Sequence, residues 1–261
     1  MGKGIVMIAM QGKSDADGVH GTAALVVGGS GGLGLAVARR LCGAGARLTI
    51  HGKDQERLDA AVRACCDGAA PETRPETIRA DLGGGSVPDE LLEAASACDI
   101  LVLAYGPFLH ATLEQTGDDD WQRMCWANLA LPGMLAGRAA RAMAARGFGR
   151  ILFFGGTRTD AIRGFRMNAA YAAAKTGLGV LAKSLAAEYS GRGVSCALLC
   201  PGFVDTEYLD QASRAELAAK APRGRLIRPE AIAELAVALL SGGMDLANGS
   251  IIVADEGLYA L

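Results

Sequence analysis

The stretch ALVVGGSGGLG, residues 24–34, decides the fold. Apolar residues typical of a buried strand run into a cluster of glycines, and a helical pattern begins at residue 32. Glycines permit positive φ and a close backbone approach, and a helix N-terminus offers free N–H groups to an anion. The strand–turn–helix context therefore predicts a phosphate-binding turn rather than a tight turn without a ligand. The predicted nucleotide contacts are Gly28, Ser30, Gly32, Leu33 and Gly34.

Short apolar runs alternate with longer helical patterns along the rest of the chain, and seven strands are predicted. One helical pattern contains Pro132 and is expected to kink near residues 128–132. Apolar strands joined by crossovers predict a parallel sheet covered by helices on both faces. The expected fold class is α/β, a doubly wound Rossmann-type sheet that binds ligands beyond its strand carboxyl ends. Residues 203–227 form the least regular stretch, where a mobile lid could lie.

The chain has no internal repeat, linker or low-complexity tract, so residues 22–261 are predicted to form a single domain. Residues 1–21 form an N-terminal extension of unknown role, whose apolar run is too short for a signal sequence or a membrane span. A formal net charge of -2 gives no electrostatic reason to bind nucleic acid or an anionic membrane.

Seven cysteines without framework spacing indicate core residues in a reducing compartment, so we expect a cytoplasmic protein. Cys196 and Cys200 lie four positions apart on a strand-like run, with no nearby histidine or second pair. They are interpreted as core residues, and no metal site is expected.

The end of the second strand bears on the choice of nucleotide. A site for a free ribose 2′-hydroxyl usually has an Asp or Glu there, whereas this strand ends with Gly52 and Lys53. A lysine can meet a 2′-phosphate, so NADP is favoured over NAD, unless Lys53 is simply a solvated loop lysine. Asp81 and Leu82, after the third strand, could flank the adenine, and Gly106 leaves room for the cofactor after the fourth.

Tyr171 and Lys175 lie four positions apart and therefore share a helix face. A phenol has a reference pKa of about 10, which is too high for efficient proton transfer near neutral pH. An adjacent ammonium, together with an oxidised nicotinamide, would lower that pKa. Such a tyrosine could protonate a carbonyl oxygen while hydride reaches the carbon. A tyrosine stacked along a lysine stem is the alternative.

The order of these motifs resembles that of the short-chain dehydrogenase/reductase family, over residues 22–261. The nearest subgroup is its single-domain reductases, such as 3-oxoacyl-carrier-protein reductases. The residues that carry the resemblance are the glycine turn, Asp81, Asn128, Tyr171-x-x-x-Lys175, Pro201-Gly202 with Thr206, and the closing Asp255-Glu256-Gly257.

The resemblance implies an NADP-dependent oxidoreductase acting on a small carbonyl or secondary alcohol substrate. Tyr171 would be the acid/base, and Lys175 would bind the nicotinamide ribose and lower the tyrosine pKa. Asn128 would hold a water in the proton relay, although a hydrogen bond at the helix kink is its alternative role. Val204 and Thr206 would contact the nicotinamide end and the phosphates.

The family likeness also suggests a homotetramer or homodimer built on the long helices at 119–146 and 168–190. Three arginines, Arg158, Arg163 and Arg166, lie in the loop before the tyrosine. They could favour an anionic substrate, but solvated loop arginines are the preferred interpretation.

One departure from the family concerns catalysis directly, because Gly156 stands where the catalytic serine belongs. The loop to Tyr171 is also about two residues longer than usual. We therefore expect Thr157 to take the serine's role, with Thr159 just beyond it and a turn-capping threonine as the alternative. Two other functions stay open: an NADP(H)-binding sensor or scaffold without turnover, and reduction of an enoyl or pterin double bond.

Overall fold

The computed structural model describes residues 18–67 and 74–259. The greater part of the predicted N-terminal extension, residues 1–17, lies outside these ranges. Residues 18–21 pack on the domain, where Val19 is buried and accepts a hydrogen bond from Thr22 Oγ1 at 2.6 Å.

Seven parallel strands form one sheet within the described ranges, which confirms the predicted fold class. The strands are β1 (Ala23–Val27), β2 (Arg47–Gly52), β3 (Glu76–Arg79), β4 (Ile100–Leu103), β5 (Gly149–Phe154), β6 (Val194–Pro201) and β7 (Ser250–Ala254). Their spatial order is β3-β2-β1-β4-β5-β6-β7. The chain builds the sheet outward from β1 to β3, then returns to the other side of β1 at β4. The topological switch point lies between β1 and β4, and ligands bind at such a crevice.

Nine α-helices connect the strands in the described part of the chain, and none of them has the length and apolar character needed to cross a membrane. They are α1 (Gly32–Gly43), α2 (Gln55–Cys66), α3 (Asp89–Ala97), α4 (Asp118–Cys125), α5 (Leu131–Arg146), α6 (Ala169–Tyr189), α7 (Gln211–Lys220), α8 (Pro229–Ala238) and α9 (Met244–Leu246).

The helices cover both faces of the sheet and produce two hydrophobic clusters. Val26 of β1 points into the first cluster, with Val37 of α1 and Val237 of α8. Leu25, its neighbour in the strand, points into the second cluster with Leu135 of α5. Successive side chains of a strand face opposite sides, so a strand covered on both faces must be apolar throughout. This requirement explains the uninterrupted apolar runs in the sequence.

The kink or break expected near residues 128–132 takes the form of a break in the α-helix, a π-helical turn at Trp126–Ala130 between α4 and α5. Pro132 is the second residue of α5 and directly follows this turn. The extra residue in a π-turn places Asn128 on the buried side of the helix.

The segment at 203–227 is more regular than its sequence indicates, because it contains α7. Asp210 caps this helix by accepting a hydrogen bond from Ser213 N at 2.8 Å. None of the residues of α7 is buried, so the helix lacks the apolar stripe by which sequence patterns identify helices.

Candidate active site

The glycine turn brings three backbone segments into contact. Gly28 has a φ of +81°, and a Cβ there would lie 2.7 Å from the backbone nitrogen of Tyr105, just after β4. A Cβ on Gly34 would overlap the carbonyl oxygen of Gly28. Only glycine fits at either position, and the contact fixes where the N-terminus of α1 points.

His51 supports the turn from β2, a role that sequence reasoning missed. The Gly28 N–H donates to His51 Nδ1 at 3.2 Å, and His51 Nε2 lies 3.1 Å from the carbonyl oxygen of Ala80. Since Nδ1 accepts, Nε2 carries the proton and donates to Ala80, so the ring is neutral. The side chain is buried, and this burial lowers its pKa. A lone histidine in an apolar strand offers no signal in the sequence for such a role.

The residues predicted to face the adenosine lie together at the ends of β2 and β3. Lys53 Nζ pairs with Asp81 Oδ2 at 2.8 Å, and both side chains are exposed. Leu82 is buried, and its carbonyl accepts from Trp126 Nε1 at 2.7 Å. Ser30 Oγ lies 2.6 Å from the Cβ position of Gly52, so the serine packs against the end of β2.

The loop after β6 also contacts the glycine turn. Val204 pairs with Ile227 in an isolated parallel bridge, and Thr206 Cγ2 lies 3.8 Å from the Cβ position of Gly32. The next residue, Glu207, accepts the Gly32 N–H on both carboxylate oxygens, at 3.0 and 3.1 Å. A carboxylate therefore caps the N-terminus of α1, a contact that sequence reasoning missed.

Lys175 and Asn128 meet at Gly106, beyond the carboxyl end of β4. A Cβ on Gly106 would overlap Asn128 Oδ1 and would lie 3.1 Å from Lys175 Nζ. Lys175 is buried, and its Nζ donates to the carbonyl oxygen of Phe154 at 2.9 Å. Asn128 Nδ2 donates to the carbonyl oxygen of Pro107 at 3.1 Å. Asn128 Oδ1 is buried without a hydrogen-bond partner among the residues that the structure describes.

Tyr171 lies one helical turn before Lys175 and points toward Gly156. Its hydroxyl oxygen is 2.8 Å from the Cβ position of Gly156, and the ring of Phe108 packs edge-on against it with centroids 5.0 Å apart. Lys175 Nζ is 6.0 Å from the centre of the tyrosine ring. Burial raises the pKa of Tyr171 and lowers the pKa of Lys175 to about 8. The phenol thus reaches the space beside residue 156, where the sequence lacks the family serine.

The two threonines considered as replacements for that serine both make hydrogen bonds to the backbone. Thr157 Oγ1 donates to the carbonyl oxygen of Gly202 at 3.2 Å and is partly buried. Thr159 Oγ1 is buried, accepts from Gly156 N at 2.8 Å and donates to the Gly156 carbonyl oxygen at 2.9 Å. Thr157 is the more exposed of the two, and its longer hydrogen bond is the easier one to exchange.

Two of the three loop arginines have partners close by. Arg163 pairs with Asp160 at 2.6 Å, and the Arg158 guanidinium lies 4.8 Å above the centre of the Tyr259 ring. Arg166 is exposed. These contacts favour a structural role for the first two arginines over a role in attracting an anionic substrate.

The fold and this arrangement define an α/β protein with a dinucleotide crevice and a tyrosine–lysine pair beside it. A family model described as "Enoyl-(Acyl carrier protein) reductase" matches residues 27–259. The chain belongs to the short-chain dehydrogenase/reductase family, whose members are NAD(P)-dependent oxidoreductases. The resemblance inferred from the motifs is therefore confirmed.

Several known proteins are similar to this chain over nearly their whole length. Galactitol 2-dehydrogenase (L-tagatose-forming) of Cereibacter sphaeroides is 34% identical over 247 residues, covering 92% of this chain and 95% of the relative. The 3-oxoacyl-[acyl-carrier-protein] reductase FabG of Escherichia coli is 30% identical over 254 residues, covering 92% and 98%. A Beutenbergia cavernae protein assigned as an NAD(P)-dependent gluconate 5-dehydrogenase, solved with NADP bound at low occupancy, superposes with a TM-score of 0.82. It is 29% identical, covering 93% of this chain and 98% of that one.

The neutral state of His51 predicts how the free energy of unfolding depends on pH. The pKa of His51 in the folded chain lies below the ordinary value of about 6.5, so the unfolded chain binds the proton first on acidification. The free energy of unfolding should be insensitive to His51 above pH 6.5. It should fall by up to about 1.4 kcal/mol per pH unit as the pH drops below that value.

Urea unfolding between pH 5 and 7.5 measures this dependence. In His51→Asn this fall in the free energy of unfolding below pH 6.5 should be absent. His20→Asn, at an exposed position, should retain it. An identical pH dependence in the wild type and in His51→Asn would contradict the assignment.

Proposed function

We propose that this oxidoreductase is NADP-dependent and interconverts a carbonyl and a secondary alcohol, with Tyr171 as the acid/base and Lys175 and Asn128 as its assistants. The observation that carries the proposal is the convergence of Lys175 Nζ and Asn128 Oδ1 at Gly106, with the Tyr171 phenol one helical turn away. All of these groups lie beyond the carboxyl ends of β4 and β5, where a nicotinamide ring would enter the crevice.

The residues present fit a dinucleotide. Gly28 and Gly106 leave the space that side chains would fill, and the backbone of the turn offers N–H groups at a helix N-terminus. NADPH, when bound, supplies a hydride to the carbonyl carbon. The π electrons of the C=O bond then move to oxygen, and the Tyr171 hydroxyl donates its proton to that oxygen. In the alcohol-oxidising direction the same oxygen of Tyr171 takes the proton back.

The expected lowering of the Tyr171 pKa by Lys175 does not appear in the structure without nucleotide, where burial raises that pKa. The protonated phenol is the form that donates in reduction, and the positive charge of an oxidised nicotinamide would favour the phenolate that alcohol oxidation needs. Lys175, with its pKa lowered to about 8 by burial, is still mainly an ammonium at pH 7. It uses one N–H on Phe154 and has two left for a ribose hydroxyl and for a water shared with Asn128.

Asn128 Oδ1, which is unpaired among the described residues, supports the proposed proton relay from Asn128 through a water and Lys175 to Tyr171. A buried acceptor without a partner costs about 1–3 kcal/mol, so such an atom indicates a group that is satisfied during function. A water between Asn128 Oδ1 and Lys175 Nζ would satisfy both atoms and would lead protons toward Tyr171.

Lys53 supports the choice of NADP. The second strand ends without a carboxylate, and the exposed Lys53 ammonium can exchange its partner Asp81 for a 2′-phosphate. A structural neighbour contains NADP, which agrees with this choice. The substrate class follows from the relatives, which include a sugar-alcohol dehydrogenase and a 3-oxoacyl reductase. The oxidations and reductions in their names concern a secondary alcohol or its ketone.

Replacing Tyr171 by Phe tests the acid/base role. The variant removes only the hydroxyl, so we expect kcat to fall by about 10²–10⁴-fold. Nucleotide affinity should stay within about twofold, because the ring is retained. The assay is NADPH oxidation against ketones, diketones, acyl thioesters and enoyl thioesters, with calorimetric titration of NADPH alongside.

Tyr189→Phe, on the same helix but in the core, is the matched control and should retain full turnover. Wild-type turnover that persists in Tyr171→Phe would refute the assignment. Wild-type turnover confined to the enoyl thioesters would refute the proposed substrate class.

Thr157 is proposed to supply the second hydrogen bond to the substrate oxygen, in place of the family serine. Thr157→Val keeps the shape and removes the donor, so kcat should fall by about 10²-fold. Thr157→Ser keeps the hydroxyl and should stay close to wild type. Equal kcat values for Thr157→Val and the wild type would refute this role.

We also propose that the chain assembles as a homodimer or homotetramer through α5 and α6. Met134 of α5 and Val180 of α6 are apolar side chains that are at least half exposed, on helices that pack together. Light scattering should report two or four chains, and Val180→Glu should lower that number. A monomeric wild-type mass would contradict the proposal.

A further inference from the structure

Arg57 and Glu207 meet directly over the glycine turn. Arg57 Nη2 donates to Glu207 Oε1 at 2.6 Å and to Tyr208 Oη at 2.7 Å. The guanidinium also stacks on the Tyr208 ring, 5.1 Å from its centre. Arg57 lies in the first turn of α2, whereas Glu207 and Tyr208 come from the loop after β6. Two distant parts of the chain therefore close over the N-terminus of α1.

The absence of a side chain at Gly31 makes this closure possible. A Cβ on Gly31 would overlap Arg57 Nη2, Tyr208 Oη and Glu207 Oε1. Gly31 has an extended backbone, with φ at -171°, so its conformation does not require glycine. The residue is small because the guanidinium and the carboxylate occupy the space above it.

The Glu207 carboxylate is bound as a phosphate would be. Its oxygens accept the first N–H of α1 and an arginine N–H, and it lies at the positive end of the helix dipole. In this family the same crevice receives the phosphates of a dinucleotide, and both anions cannot occupy it together. The nucleotide must displace Glu207, which leaves Arg57 facing the incoming phosphate without its counter-ion.

We propose that Arg57 is a phosphate ligand of the nucleotide and that Glu207 holds the phosphate position, as an internal competitor, until the nucleotide binds. The proposal rests on the proposed function, since it concerns the same nucleotide site. A phosphate can accept two N–H groups of one arginine, whereas Glu207 accepts from Arg57 through Oε1 alone. The Arg57–Glu207 pair is about half exposed, so its own strength is modest and the exchange costs little.

Opposite effects of the two substitutions distinguish this role from a simple loop latch. Arg57→Ala removes a charged donor and should raise the Kd of the nucleotide about tenfold or more. Glu207→Gln removes the competing charge and should lower that Kd about two- to fivefold. If the pair only fastens the loop, both substitutions should shift affinity in the same direction.

Isothermal titration of the full chain with NADPH and with NADH measures these constants without turnover. A loss of affinity in Arg57→Ala that appears with NADPH and is absent with NADH assigns Arg57 to the 2′-phosphate. An equal loss with both nucleotides assigns it to the diphosphate. Arg57→Lys, which keeps the charge without the two-pronged geometry, should fall between wild type and Arg57→Ala.

Arg63→Ala, six residues further along α2 at an exposed position, is the matched control and should bind like wild type. Circular dichroism and a thermal midpoint establish that each variant is folded. Shifts in the same direction for Arg57→Ala and Glu207→Gln, or shifts below twofold for both, would overturn this inference and leave the proposed function standing. A wild-type chain that binds neither nucleotide would overturn both.

Discussion

The backbone contact between Gly34 and Gly28 is the constraint on which the site depends. Gly34 lies so close to the Gly28 carbonyl that a single methyl group would separate α1 from β1. Gly28 in turn lies against the backbone of Tyr105 after β4, so the same turn spans the topological switch point. The N-terminal N–H groups of α1 therefore face the crevice between β1 and β4. The proposed nucleotide contacts depend on this orientation of the N-terminus of α1.

Three of the buried polar side chains lie at or near the carboxyl ends of the strands, beside the crevice. His51, Asn128 and Lys175 are buried, and each is held by backbone carbonyls or N–H groups rather than by another charged side chain. Such contacts orient a side chain without adding a competing charge. Lys175 consequently has a lowered pKa, and Asn128 keeps one oxygen unsatisfied. Two of these groups, Asn128 Oδ1 and Lys175 Nζ, converge beside Gly106.

Most of the fold could be predicted because it rests on local patterns. Seven apolar runs, the glycine turn and the break near Pro132 are all visible along the chain. Helix α7 escaped prediction because it buries none of its residues and so lacks an apolar stripe. The role of Thr157 stays a prediction, because it rested on an alignment of the loop. The structure brings the Tyr171 phenol to the space beside Gly156, and Thr157 Oγ1 donates to the Gly202 carbonyl oxygen.

The sequence by itself determined the α/β class, the nucleotide turn and the tyrosine–lysine pair, because strand periodicity, glycine and i, i+4 spacing act within a few residues. Only the tertiary structure decided which distant side chains meet. His51 reaches Gly28 across 23 positions, and Arg57 reaches Glu207 across 150. No local sequence pattern predicts that an arginine on a helix surface will contact a glutamate in a distant polar loop. Their encounter arises because the sheet brings the end of β6 and the start of α2 to the same edge.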